Sequence, residues 1–217
     1  IHVEGPDGAD DLSADVALIA IGVQPNSEGL GLEEAGVDTE KGWVKVDDHM
    51  RTNVSGVYAI GDLNGTLPLA HVASAQGILA VETIAGQDPA PFSRRHMPRG
   101  TYTSPQVASF GLSEDDAREE AGEIEVGQFP FLPNGKALAI GENHGFVKII
   151  ADAASHEILG AVIVGPDATE ILPELLLAAR NELTPDEVAE TVHAHPTLNE
   201  AVMEAAHDVF GHALHKV

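Results

Sequence analysis

Apolar and polar positions follow different periods in the two parts of the chain, with a change near residue 90. In the first part, residues 15–22 form an apolar run that ends in glycine, which predicts a buried parallel-type strand. Alternation over 42–47 predicts a half-exposed strand, and 52–62 predicts a turn, a buried strand and a Gly-Asp end. Residues 70–85 are rich in Ala, Leu, Ile and Val before a closing glycine, which predicts a helix.

Two further segments of this part predict turns. The polar stretch 4–11 predicts a turn before the first strand, and 29–36 (GLGLEEAG) predicts a helical turn closed by Gly36. The glycines of 29–36 do not form a dinucleotide fingerprint, because such a motif opens a helix directly after a strand.

The second part begins after a proline-rich stretch, 87–99, which we interpret as a linker. Four short strands separated by Gly, Asn and Asp turns predict an antiparallel sheet with helices to one side. The strands are expected at 107–111, 124–131, 146–151 and 158–164. Helices are expected at 113–121, at 168–180 with Asp167 as cap, and from Thr184, where Thr-Pro-Asp-Glu forms a capping box.

The last helix follows the stretch 193–200, His-Ala-His-Pro-Thr-Leu-Asn-Glu. Pro196 favours an extended His195, and apolar residues then recur at helical spacing from Leu198 to Ala213. Thr197 and Glu200 form a capping-box pattern, in which Glu200 reaches back to the backbone. The same carboxylate is also placed to orient an imidazole that acts as general base. Local sequence leaves both interpretations of Glu200 open.

Composition narrows the classes of function. The 217 residues carry 35 acidic and 11 basic side chains, a net charge of −24 that argues against nucleic acid and anionic membranes as partners. This charge is typical both of adaptation to high salt and of ordinary solubility. No residue is Cys, which excludes disulfides, a cysteine nucleophile and thiolate metal sites within the chain. No stretch is apolar for long enough to span a membrane. Histidines crowd the C-terminus without a metal-binding spacing, so we predict no metal site.

The pattern H-x-H-P-T-x-x-E resembles the C-terminal signature of the flavoprotein disulfide reductases, and HAHPTLNEA is most similar to the members that oxidise dihydrolipoamide. The resemblance implies that His195 is the catalytic acid–base, that Glu200 hydrogen-bonds it, and that the His195–Pro196 bond is cis. It also implies a redox-active C-x4-C disulfide, which a chain without Cys does not contain.

Other segments carry the same resemblance and imply FAD and NAD as cofactors. The stretch 52–62 (TNVSGVYAIGD) resembles the second FAD motif, where Gly61 allows close approach and Asp62 contacts the ribityl chain. LAH at 69–71 resembles the helix start that faces the flavin, with Pro68, Leu69, Ala70 and His71 as the matching residues. ALIAIGVQPN resembles the end of the nicotinamide-binding domain, which places Gly22 near NAD.

The resemblance covers nearly the whole chain but only the C-terminal half of the family's enzymes. We therefore expect an α+β interface (dimerisation) domain, a mixed sheet with helices, preceded by the C-terminal part of an α/β FAD/NAD(P)-binding domain. The expected domains are 1–24 (end of the NAD-binding domain), 25–92 (part of the FAD-binding domain) and 93–217 (dimerisation domain).

The expected function is that of the C-terminal part of an FAD-dependent homodimer that oxidises dihydrolipoamide and reduces NAD in the cytoplasm. Its partner would be the lipoyl domain of a 2-oxoacid dehydrogenase complex or of the glycine cleavage system. Alternatives are a non-catalytic dimerisation fragment and a reductase of the glutathione or mercuric type. The chain alone is expected to be inactive, because the disulfide and the N-terminal G-x-G-x-x-G are missing.

Overall fold

The computed structural model describes residues 1–6 and 8–216, and the chain divides into two compact units. The first unit is Ile1–Pro89, and the second runs from Ala90 to the C-terminus. Asp7, which belongs to the turn predicted over 4–11, lies outside the described residues. Among the described residues, no helix has the length and apolar character needed to cross a membrane.

The first unit contains two small hairpins and one long helix. Strands β1 (His2–Gly5) and β2 (Gly8–Asp11) pair antiparallel, as do β3 (Thr39–Glu40) and β4 (Trp43–Val44). A 3₁₀ helix spans Gly61–Asn64, and helix α1 spans Ala70–Ile84. Most of the stretch 4–11, predicted as a turn, is therefore strand, because its residues pair with each other. The predicted helix at 70–85 and the turn closed by Gly36 are confirmed.

Two predicted strands of this unit are wrong. Residues 15–22 form no strand, and Ile21, near the end of the apolar run, is 94% exposed. The segment 57–60 contributes only an isolated bridge between Arg51 and Tyr58. A buried strand must hydrogen-bond to neighbouring strands. None of the described residues forms a strand beside 15–22, and 57–60 pairs only with the short segment 50–52. The apolar composition of the two segments predicted that they would be buried, but burial as a strand also requires neighbouring strands to pair with.

The second unit is built on a five-stranded sheet in which every neighbouring pair is antiparallel. The strands in chain order are β5 (Arg99–Thr101), β6 (Gln106–Gly111), β7 (Ile124–Pro130), β8 (Phe146–Asp152) and β9 (Ile158–Gly165). Their order across the sheet is β5-β6-β9-β8-β7. The four strands predicted in this region are confirmed.

Five helices accompany the sheet: α2 (Glu114–Ala121), α3 (Gly135–Ile140), α4 (Ala168–Arg180), α5 (Pro185–Glu190) and α6 (Glu200–Val209). Ser113 caps α2, and the capping box of Thr184 and Glu187 starts α5, as predicted. Asp167 precedes α4, but its side chain makes no capping bond, so that part of the prediction is wrong. Its backbone is left-handed, with φ 48°. Helix α3, capped by Asn134, was not predicted.

The main core lies between one face of the sheet and helices α4, α5 and α6. Helix α2 packs on the opposite face, where Ala117 contacts Ile150 and Leu159, so the expectation of helices on one side is wrong for α2. Helix α6 approaches β7 closely at Gly127, where a Cβ atom would lie 2.1 Å from the carbonyl oxygen of Ala205. Glycine at this position therefore sets the depth at which α6 packs.

Candidate active site

The loop between α5 and α6 places His195 beside the first residue of α6. The Nδ1 atom of His195 lies 2.9 Å from Oε1 of Glu200, and the backbone N–H of Thr197 donates to Oε2 of Glu200 at 2.8 Å. The His195–Pro196 peptide bond is cis, as predicted. Glu200 thus takes both roles that the sequence left open, because each of its two oxygens has its own donor.

The capping box predicted for Thr197 is only half formed. The hydroxyl of Thr197 donates to the carbonyl of Ala194 at 2.7 Å instead of accepting from the helix. The residue at the helix cap is Asn199, whose side chain makes no capping bond either. The side chains of Thr197 and Asn199 therefore form hydrogen bonds other than caps of α6, and the start of α6 does not depend on a side-chain cap.

The protonation state of Glu200 fixes the arrangement of protons on His195. Burial raises the pKa of Glu200, but the bonds from the Thr197 amide and the His195 ring outweigh it, and the pKa lies below its ordinary value. An ionised carboxylate only accepts hydrogen bonds, so Nδ1 of His195 carries the hydrogen. The lone pair is then on Nε2, which has no partner among the described residues, and the side chain is 75% exposed. This nitrogen is available to accept a proton.

His193, two residues earlier, is arranged in the opposite way. Its Nδ1 lies 2.8 Å from the carbonyl oxygen of Thr191, and its Nε2 lies 2.9 Å from Oε1 of Glu174. Its side chain is only 6% exposed. Because both ring nitrogens face acceptors, neither has a lone pair directed at solvent. Of the two histidines in the H-x-H pattern, only His195 has the geometry of a general base.

A cavity of about 310 Å³ opens beside His195 and Glu200. Its other walls are mainly apolar or small: Phe129, Pro133, Asn134, Gly135 and Met203, together with Glu204 and His215. Glu204 is 3% exposed and accepts from the His215 ring and from the backbone of Leu214 and His215. The cavity therefore combines a mainly apolar lining with two exposed imidazoles, those of His195 and His215.

The predicted FAD residues lie in the first unit. Gly61 begins the 3₁₀ helix with φ 69°, and its N–H donates to Oε1 of Gln76 in α1 at 2.7 Å. A Cβ atom at this position would lie 3.1 Å from Cβ of Ala73, so glycine suits both the conformation and the packing. The carboxylate of Asp62 is exposed and has no hydrogen-bond partner among the described residues.

The remaining predicted cofactor residues fall at two places. Pro68, Leu69, Ala70 and His71 mark the start of α1, and Leu69 at the cap position supplies no side-chain cap. Gly22, predicted to lie near NAD, is in an exposed segment without regular structure, with φ 106°. Over residues 1–6 and 8–216, no cluster of three or more His, Asp or Glu side chains could hold a metal ion.

Comparison with known families accounts for both units. Residues 97–206 match the dimerisation domain of the pyridine nucleotide-disulphide oxidoreductases, and residues 1–77 match the pyridine nucleotide-disulphide oxidoreductase model. The chain belongs to the pyridine nucleotide-disulphide oxidoreductase family. The expected fold class, a dimerisation domain preceded by part of the FAD/NAD(P)-binding domain, is confirmed.

The relatives within this family include several dihydrolipoyl dehydrogenases. The chain is 49% identical to the one from Corynebacterium glutamicum over 215 residues, covering 97% of the chain and 46% of the relative. It is 51% identical to the one from Mycobacterium tuberculosis over 208 residues, covering 95% of the chain and 45% of the relative. The chain therefore spans a little less than half the length of these oxidoreductases.

Two solved structures share the fold. The crystal structure of LpdA from Mycobacterium tuberculosis matches with a TM-score of 0.85 at 32% identity, covering 94% of this chain and 45% of that one. The HOCl-induced flavoprotein disulfide reductase RclA from Escherichia coli matches with a TM-score of 0.81 at 24% identity, which shows likeness of fold alone.

Sequence reasoning missed several residues around this candidate site. Phe129 and Asn134 line the cavity from β7 and the loop before α3, and Asn134 donates to the carbonyl of Thr197 at 3.0 Å. No local pattern links positions 63 residues apart. Glu174 bonds His193, and its only sequence signal is that it interrupts the apolar run 171–179.

Proposed function

We propose that this chain is the C-terminal part of a dihydrolipoyl dehydrogenase, in which His195 accepts a proton from a dihydrolipoyl thiol. The observation that carries the proposal is the His195–Glu200 pair, with Nδ1 engaged and Nε2 exposed beside an apolar cavity. The relatives that share 49% and 51% sequence identity with the chain are named dihydrolipoyl dehydrogenase, which supports the choice of substrate.

The geometry supports a simple order of events at His195. The ionised Glu200 holds the proton on Nδ1, so Nε2 takes the proton from an incoming thiol. The imidazolium that forms is stabilised by the adjacent carboxylate, while the substrate becomes a thiolate, which is the nucleophilic form of sulfur. Since the His195 ring is largely exposed, the proton can later pass to solvent. The apolar cavity walls suit an aliphatic dithiol chain.

The disulfide that the thiolate attacks must come from outside these residues, because the sequence contains no Cys. We propose that it belongs to the partner subunit of a homodimer, so that the base acts across the interface. The match to a dimerisation domain supports this arrangement. So does the sheet face that carries Val107, Phe146, Val162 and Val164, all only half-buried. Apolar side chains left in this state on a sheet are typical of an interface.

The first unit offers groups that fit part of an FAD site. The carboxylate of Asp62 can accept from hydroxyl groups, and the positive end of the dipole of α1, at its start, can face an electron-rich ring. Asp62 and the residues 68–71 would therefore hold the ribityl chain and the flavin, with Gly61 leaving room for the approach. When bound, FAD supplies the electron transfer between the thiol and NAD.

The assignments to NAD and to a partner rest on the resemblance and on the relatives. Gly22 is proposed for the NAD side, and a lipoyl domain of a 2-oxoacid dehydrogenase complex or of the glycine cleavage system for the substrate side. The cytoplasmic location stays a prediction. The chain contains no cysteine pair, which favours a second candidate function, that of a module that only forms dimers. The molecular mass of the isolated chain in solution tests this second candidate, because a dimerisation module should have the mass of a dimer.

Steady-state oxidation of dihydrolipoamide by the full-length protein tests the main proposal. His195→Gln should lower kcat by about 10²- to 10⁴-fold, the range expected for loss of a general base. Glu200→Gln should cost less, and Glu200→Ala should also lose the bond from the Thr197 N–H that holds the loop. His212→Gln, at an exposed histidine without a side-chain partner among the described residues, is the matched control. Near-normal turnover of His195→Gln would show that this histidine is structural.

A further inference from the structure

Glu174 is the single charged residue in the apolar stretch 171–179 of helix α4. Its side chain is 28% exposed, and both of its oxygens are engaged. Oε1 accepts from Nε2 of His193 at 2.9 Å, and Oε2 accepts from Nδ2 of Asn199 at 3.0 Å. His193 and Asn199 stand at the two ends of the loop that carries His195. One carboxylate on a core helix therefore joins both ends of this loop.

We propose that Glu174 is a positioning residue that directs the His195 ring by clamping the two ends of the loop 193–199. The inference rests on the proposed function, in which His195 is the general base. Glu174 itself does not touch His195, so its effect must pass through His193, Asn199 and the backbone between them.

The conformation of Asn199 supports this role. Asparagine at a helix cap ordinarily accepts a bond from the first turn of the helix. Asn199 occupies the cap position of α6 but makes no such bond, and its amide donates to Glu174 instead. His193 is also held twice, by Glu174 and by the carbonyl of Thr191. The polar side chains at both ends of the loop thus form hydrogen bonds that fix the loop backbone.

The middle of the loop is attached at Thr197, whose N–H donates to Glu200, and it carries one exposed ring. Asn134 donates to the carbonyl of Thr197, which lies between the two clamped ends. His195 itself is 75% exposed and is held only through Nδ1. An exposed ring keeps a defined direction only if its backbone is fixed, and Glu174 supplies the side-chain attachments at both ends of the loop. A displacement of a catalytic group by about 1 Å can cost on the order of 100-fold in rate.

Kinetics of the full-length protein test the inference first. Glu174→Ala removes both acceptors and should lower kcat for dihydrolipoamide by about 10- to 100-fold. KM should change much less, because the apolar walls of the cavity, Phe129, Pro133 and Met203, lie outside the loop. Glu174→Gln keeps one acceptor and the shape of the side chain, so it should fall between Ala and wild type. The matched control is Glu170→Ala, at an exposed glutamate one turn earlier on α4, which should leave kcat unchanged. Equal kcat in Glu174→Ala and wild type would overturn the inference.

A double-mutant cycle separates positioning from a general structural effect. If Glu174 acts through His195, Glu174→Ala should cost no more than about 2-fold in a protein that already carries His195→Gln. If the two losses multiply, Glu174 acts on the fold or on another group, and the inference is wrong.

A readout independent of activity distinguishes failure of this inference from failure of the proposed function. The ¹⁵N NMR shifts of the His195 ring report which nitrogen carries the proton. They should show one dominant tautomer in the wild-type protein and a mixture in Glu174→Ala. A ring signature identical to wild type in Glu174→Ala would overturn the clamp whatever the activity. Full activity of His195→Gln would instead overturn the proposed function, and the NMR comparison would still decide the clamp.

Discussion

Replacing Gly127 with alanine should displace helix α6 and with it Glu200. The added Cβ would lie 2.1 Å from the carbonyl oxygen of Ala205, 2.5 Å from the backbone nitrogen of Val209 and 2.7 Å from its Cγ2. Two of these atoms belong to the helix backbone and cannot rotate away. To restore an ordinary contact of 3.4 Å, the helix must retreat by about 1.3 Å.

The energetic cost follows from this geometry. Overpacking a core commonly costs 1–3 kcal/mol, and a clash against helix backbone should lie at the upper end, about 3 kcal/mol. The same retreat would draw α6 away from β8 as well, since α6 packs on both β7 and β8. For a protein of this size, such a loss corresponds to a fall in Tm of about 10 °C.

Thermal unfolding of the chain, followed by circular dichroism, measures the effect. Gly135→Ala is the matched control, because its Cβ would meet nothing closer than Cε1 of His195 at 3.7 Å and would favour helix α3. The control should melt at or slightly above the wild-type temperature. If Gly127→Ala melted within about 2 °C of wild type, the close approach of α6 to β7 would not be limiting, and the reasoning would fail.

The remaining predictions concern charge, cofactor and pH. Because the net charge is −24, Tm should rise with added KCl as self-repulsion is screened, and a flat or falling curve would contradict this. The chain alone should not hold FAD at one equivalent, since it has no G-x-G-x-x-G, and a flavin-to-protein ratio near one would refute the prediction. Bonds from Lys148 and Arg118 lower the pKa of Glu114, so its contribution to stability is present above the ordinary pKa of 4.5 and is lost as pH falls through the lower folded value. Glu114→Gln should therefore flatten the acid side of a plot of Tm against pH, and an unchanged slope would count against the assignment.

The elements that were predicted correctly are those whose partners are present in the same unit. The described strands of the second unit's sheet pair only with one another, and the capping box at Thr184 and Glu187 is complete within four residues. The strand expected at 15–22 failed because its hydrogen-bond partners are not among the described residues. The apolar composition of 15–22 indicates that this segment would be buried if it were a strand. It does not show whether neighbouring strands are present to pair with it.

The candidate site shows the same limit. His195 and Glu200 were predicted because they are five positions apart and form a recognisable motif. Asn134 could not be found from the pattern, because it meets Thr197 across 63 positions of sequence. Glu174 is visible in the sequence only as a charged residue in an apolar helix. Its role follows from its tertiary contacts with His193 and Asn199. Local periodicity does not contain those contacts.

The central claim is that His195 accepts the proton of the substrate thiol. Anaerobic stopped-flow measurement of flavin reduction in the full-length protein tests it directly, with dihydrolipoamide and NADH as separate reductants. His195→Gln should slow reduction by dihydrolipoamide by about 10²- to 10⁴-fold and leave reduction by NADH at the wild-type rate. An unchanged rate with dihydrolipoamide, or an equal loss with both reductants, would contradict the account.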